Sequence, residues 1–218
     1  MLTIKKDSCA YKILTIAIVI FGTLLSGFHL YATMTGTVTV MRQRVAHVTL
    51  VLIIALFTYI QKRINSGKHF SVLTVLIDIF IFVVSICALG YLYINDAELV
   101  FHLGNPTTLD VILGVALSIS VLEMTRRIIG PIMPAIAVIA VAYAALGNFL
   151  PEIIANKGYS IERIAGYLLL SDDGLFGTPI GVSASTVILF IIFGAFLQST
   201  GAGEAFIEMA FSFFGRVR

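Results

Sequence analysis

Charge is what this sequence has least of. Only 12% of its 218 residues are Asp, Glu, Lys or Arg, while 59% are hydrophobic. Soluble domains carry about 25% charged residues, so a soluble fold of this length would have roughly half the solvating surface it needs. The composition also excludes a disordered chain and a collagen-like repeat. A disulfide scaffold is excluded by the two cysteines, Cys9 and Cys87, which stand far apart with no CxxC or metal-ligand spacing. There is no H-E-x-x-H and no Walker A sequence. The net charge of +2 says little about partners, and nothing points to nucleic acid. A mean hydropathy of +1.02 leaves one class, an all-α integral membrane protein.

About 20 apolar residues cross a bilayer as a helix, because lipid leaves every backbone group to be satisfied within the helix. Six stretches meet this requirement: Ile13 to Ala32, Val45 to Ile60, Val72 to Ile94, Leu109 to Leu122, Gly130 to Leu146 and Pro179 to Gln198. The first resembles a signal peptide, with Lys5, Lys6 and Lys12 ahead of it. It is too long for one and no A-x-A site follows, so it reads as a retained span. Two shorter stretches, Ser160 to Leu170 and Gly201 to Phe214, read as interfacial or partly re-entrant amphipathic helices. In the first of these, Ile161, Ile164, Ala165 and Leu168 fall on one face at helical spacing, with Glu162, Arg163 and Gly166 opposite.

Lys and Arg set the orientation. With the N-terminus cytoplasmic, ten of them lie inside and four outside: Arg42 and Arg44 in the first external loop, Lys157 and Arg163 further on. The acids Asp96, Glu98, Glu152, Glu162, Asp172 and Asp173 all fall outside.

An ionisable group within a span is costly and marks a candidate. Asp78 is such a group, either reached by water or paired with Lys62, Arg63 or Lys68. Asp110 reads as a cap, with Thr107 accepting from the first-turn amides and the carboxylate facing the positive end of the helix dipole. Glu123 at i,i+3 to Arg126 and i,i+4 to Arg127 suits a cytoplasmic anchor. His29 and His47 are expected near opposite ends of the first external loop, at headgroup level. Gly181-Val-Ser-Ala has the G-x-S-x form of an intramembrane serine protease, but no histidine is expected in a span facing Ser183, and the G-x-S-x-G elbow fails at Ser185. Asp172-Asp173 lacks the second acidic cluster that metal-assisted transfer requires. No catalytic residue is therefore assigned.

The most unusual composition is Asp172-Asp-Gly-Leu-Phe-Gly-Thr-Pro-Ile-Gly-Val-Ser-Ala-Ser. Gly177, Pro179 and Gly181 weaken or bend the start of the last span, and Ser183, Ser185 and Thr186 supply hydroxyls. A broken helix on a solute path and close helix packing through Gly177-xxx-Gly181 both account for it.

Gly174-Leu-Phe-Gly-Thr-Pro-Ile-Gly-Val-Ser-Ala, then Leu189-Phe-Ile-Ile-Phe-Gly-Ala-Phe-Leu, then Gly201-Ala-Gly, resemble the fused permeases of the tripartite ATP-independent periplasmic (TRAP) transporters, in the branch served by TAXI-type binding proteins. Pro106-Thr-Thr-Leu-Asp, Leu122-Glu-x-Thr-Arg-Arg and Gly158-Tyr-Ser-Ile-Glu-Arg are similar to that family in the same order. The resemblance implies a division at residue 126. Residues 1–126 would be a small-subunit-like four-helix region bracing the scaffold, and 127–218 the start of the large-subunit-like transport region. It also implies a bacterial or archaeal cytoplasmic membrane and a periplasmic substrate-binding protein that delivers an organic acid. Uptake would be driven by a sodium gradient through an elevator-type motion. The family continues well past the position of Arg218, so the sodium-binding hairpins are expected in the remainder of the large permease region. No cofactor or metal ligand is carried over onto this chain. A self-standing membrane scaffold or assembly subunit for a partner permease is the alternative reading.

Overall fold

The computed structural model describes residues 9–67 and 71–214, and every regular element among them is helical. Six helices are long and apolar enough to span: α1 (Cys9–Thr35), α2 (Val40–Asn65), α3 (Val72–Ile94), α5 (Thr108–Ile128), α6 (Ile132–Leu146) with one further turn, and the run Thr178–Ser199. The last comprises α8 (Thr178–Val182), a π-turn at Ser183–Val187 and α9 (Ile188–Ser199). Three shorter helices are α4 (Asp96–His102), α7 (Ile161–Leu170) and α10 (Ala202–Phe214). Lys5, Lys6, Lys68, Arg216 and Arg218, five of the ten basic residues assigned to the inside, lie outside the described residues.

The spans end where the sequence removes the helix's options. Gly130 adopts φ 115°, a conformation open to glycine, and Pro131 follows it to start α6 without a wasted amide. At the other end of α5 the expected cap is present as a reciprocal box. Thr107 Oγ1 accepts from Asp110 N at 3.3 Å, and the Asp110 carboxylate accepts from Thr107 N at 2.8 Å. The same carboxylate also takes the Tyr91 hydroxyl at 2.8 Å and lies 2.9 Å from His102 Nδ1, so Asp110 ties α3 and α4 to α5 as well.

α2 is the hub. It packs against α1, α3 and α5 and touches α8, while α3 leans on α5 and α5 on α7. Half of its central window (50%) is buried, against 6% for the final span. Yet α2 is less apolar than either α3 or the final span. Lipid demands hydrocarbon, whereas a neighbouring helix accepts any side chain whose polar atoms are satisfied. Thr49, Ser85 and Ser120 are fully buried, and each donates to the carbonyl four residues back. The core runs through Val45, Leu52, Leu56, Ile81, Ala88, Leu92, Leu117, Met124 and Leu169.

Two expectations change here. α2 begins at Val40, so Arg42 and Arg44 occupy its first turns and are not in a loop. Their charges are matched, Arg42 to Asp96 at 3.4 Å and Arg44 to Asp172 at 3.2 Å. In α7 the buried residues are Ala165, Gly166 and Leu169, while Ile161 is 70% exposed. Two small residues, Ala165 and Gly166, share the buried face with Leu169, and Ile161 is left outside it. A side chain at Gly114 would meet the Ala165 carbonyl oxygen at 2.6 Å, and one at Gly166 would meet the Pro106 ring at 2.7 Å. The closest backbone approach therefore fixes the rotation of α7.

Candidate functional site

The segment singled out by composition is folded into a built seam. Residues 171–177 form a tight non-helical connection whose Phe176 side chain is fully buried in the core. Leu175 N donates to Leu168 O at 2.8 Å and Gly177 N to Gly174 O at 3.1 Å, closing the turn on itself. Gly174 permits this, since a Cβ there would run into the carbonyls of Tyr167 and Leu168. Arg44 reaches across from α2 and donates to the Phe176 carbonyl at 2.8 Å as well as pairing with Asp172. Gly181 makes room for it, because a side chain there would lie 2.9 Å from the Arg44 guanidinium. Packing through Gly177-xxx-Gly181 thus takes a specific form: Gly177 closes a turn, and Gly181 admits an arginine.

Pro179 occupies the first turn of α8, where its missing N–H costs least. The span beyond it is not interrupted. Its irregularity is the π-turn at Ser183–Val187, in which Ile188 N bonds back to Ser183 O. Such turns widen the backbone ring and leave a carbonyl without its usual amide. Here Gln43 Nε2 donates to the Ala184 carbonyl at 3.0 Å. Ser185 Oγ donates to Gly181 O at 2.8 Å and lies 3.4 Å from Thr186 Oγ1, and both residues are exposed.

Ser183 meets a buried pair of histidines. His47 Nε2 lies 3.0 Å from Ser183 Oγ, and His47 Nδ1 lies 3.1 Å from His29 Nε2. His29 is 0% exposed and its Nδ1 faces Gln43 Nε2 at 3.5 Å. This corrects the placement of both histidines at headgroup level, and the expectation that none faces Ser183. The reason is helix length: α1 extends to Thr35 and α2 starts at Val40, so both imidazoles lie further from the helix ends than the apolar stretches alone place them.

Ala184 O accepts only, so the Gln43 group beside it is the NH2. Along the rest of the chain the tautomers of the two histidines set which partner donates. The Ser183 amide is already bonded to the Pro179 and Ile180 carbonyls, so it offers no oxyanion donor. The serine and the two histidines join α1 and α2 to the last span.

At the opposite end of the bundle the remaining candidates come together. Asp78, 7% exposed, pairs with Arg127 and not with Lys62 or Arg63. Lys68 lies outside the described residues. Glu123 accepts from Arg126 Nε at 2.8 Å and from Arg127 Nε at 2.7 Å, so both anticipated pairs form. Arg127 thereby joins α3 to α5.

His29, Gln43, Arg44 and His47 were not read from the sequence as parts of this seam. The one available signal was that α2 carries an unusual density of polar residues for a span.

Residues 116–218 match the family model described as "Tripartite ATP-independent periplasmic transporter, DctM component". No curated protein and no solved structure matches the chain. The matched stretch covers the end of α5 and everything after it, including the turn and the π-turn, so over residues 116–218 this multi-pass membrane chain is similar to the DctM component of the tripartite ATP-independent periplasmic transporters.

Proposed function

We propose that this chain is the N-terminal membrane portion of a TRAP-type permease. In this reading a periplasmic binding protein delivers an organic acid carboxylate, and a sodium gradient drives its uptake. Residues 1–126 then correspond to the small-subunit-like region and 127–218 to the opening of the transport region, with the N-terminus cytoplasmic. The family match over 116–218 supports the permease reading. The observation that carries the role of the first part is the seam. Gln43, Arg44 and His47 on α2, with His29 on α1, hold the turn and π-turn that begin the last span. Such a clamp braces a scaffold against a moving partner. The hydroxyls of Ser185 and Thr186, together with the exposed face of the π-turn, are the proposed solute-side surface.

Reconstitution into liposomes tests this reading. The chain is expected to copurify with the rest of a large permease region, and sodium-dependent carboxylate uptake is expected only when both are present with the binding protein. Sodium-dependent uptake by the 218-residue chain with its binding protein alone would remove the bracing role. Copurification without uptake under any sodium gradient would favour an assembly subunit.

A further inference from the structure

Opposite the histidine seam, the C-terminal turns of α2 and α5 diverge around an open cavity of about 480 Å³. Its lining includes Thr58, Tyr59, Lys62, Arg63, Ser66 and Arg127. We propose that it binds the phosphate of an anionic phospholipid headgroup.

Charge balance is the first argument. The cations at this level are Lys62 and Arg63 in the last turn of α2, and Arg126 and Arg127 in the last turn of α5. Against them stand Asp78 and Glu123, and both carboxylates are committed to the α5 arginines. Lys62, which is exposed, forms no ion pair with a described residue. Among the described residues, Lys62 therefore adds to the cavity wall a positive charge that no carboxylate matches.

Stacking is the second. The Arg63 and Arg127 guanidiniums both lie over the Tyr59 ring, at 5.9 and 5.0 Å from its centroid, which holds two cationic side chains at the cavity wall. The hydroxyls of Thr58 and Ser66 already donate to Ile54 O and Lys62 O, so recognition falls to the cations and not to neutral donors.

Location selects the source of the phosphate. The cavity opens where two spanning helices end, at headgroup depth, and its wall includes the apolar Ala55 and Ile128 beside the acyl region. Basic pockets between helices at this level suit phospholipid headgroups, whose tails lie along the apolar wall. A free phosphate would gain nothing from that wall.

The test uses the full chain in mild detergent, offered equimolar phosphatidylglycerol and phosphatidylcholine, with retained lipid counted by native mass spectrometry. Phosphatidylglycerol is expected to be retained preferentially. The double substitution Lys62→Gln with Arg63→Gln should weaken that retention on the order of tenfold, from the worth of two basic side chains near an anionic lipid. Lys157→Gln, in the exposed loop at the other end, should leave it unchanged, and Lys62→Arg should preserve it. Thermal unfolding of each variant separates loss of lipid from loss of fold. Equal retention by wild type and the double variant would overturn the site. Displacement of the lipid by inorganic phosphate at equal concentration would overturn the phospholipid as its source.

Discussion

From Gln43 to Ser183 the hydrogen-bonded chain has ends and a middle, and a member's place in it sets the cost of removing it. Ser183 stands at one end, so Ser183→Ala removes one bond from His47 and should cost about 0.6 kcal/mol, the average for interhelical hydrogen bonds in membranes. His47 sits in the middle, bonded on both sides and 6% exposed. His47→Ala strands His29 and opens a void, and should cost about 1–3 kcal/mol. Thermal unfolding in detergent should therefore rank His47→Ala well below Ser183→Ala. A serine-directed fluorophosphonate should leave the wild-type protein unlabelled. Labelling that disappears in Ser183→Ala would restore a nucleophilic role.

At the level of elements, position in the bundle follows backbone proximity more than hydropathy. α7 has an apolar stripe that its spacing makes plain, yet it turns Ile161 outward and buries Gly166 against Pro106. The contact with α5 is close enough that the Gly114 position admits no side chain. Gly114→Val should push α7 away at a cost of about 1–3 kcal/mol, the range for overpacked sites. The displacement should appear as faster amide exchange confined to residues 161–170, with α1 to α3 unaffected. Uniform loss of protection across the bundle would mean that α7 is not an independent contact. The π-turn in the last span belongs to this scale too. It exists beside a side chain, Gln43, that satisfies the carbonyl it frees.

Across the whole molecule, polar side chains gather at two levels. One is the seam of α1, α2 and the last span. The other is the cluster of Asp78, Glu123, Arg126 and Arg127, which joins α3 to α5. Lipid-facing surfaces between the two levels are apolar, as on Ile79, Phe190 and Ile191. Polar contacts therefore supply much of the specificity with which the spans choose neighbours, because hydrocarbon contacts alone distinguish helix from lipid weakly. A chain divided at Gly130 and coexpressed as two pieces should consequently reassemble and copurify. His47→Ala combined with Arg44→Ala should reduce that recovery severalfold, since both remove bonds that cross the division. Undiminished recovery would assign the assembly to the contacts of α5 with α6 and α7.

The sequence by itself determined the class, the six spans, the reciprocal cap at Thr107 and Asp110, and the pairing of Glu123 with Arg126 and Arg127. Each of these is local: a span is read over about 20 consecutive residues, and a cap or an ion pair over three or four. Tertiary structure alone decided the partner of Asp78, the face of α7 and the histidine seam. His47 and Ser183 stand 136 positions apart, and His29 and Gln43 belong to different helices. Their meeting depends on how far α1 and α2 extend past their apolar stretches and on which helices pack together. In a chain whose charge is so sparse, local patterns show where the membrane lies. Only packing shows which of the few polar groups find one another, because inside the bilayer each must be satisfied by whatever neighbour the fold supplies.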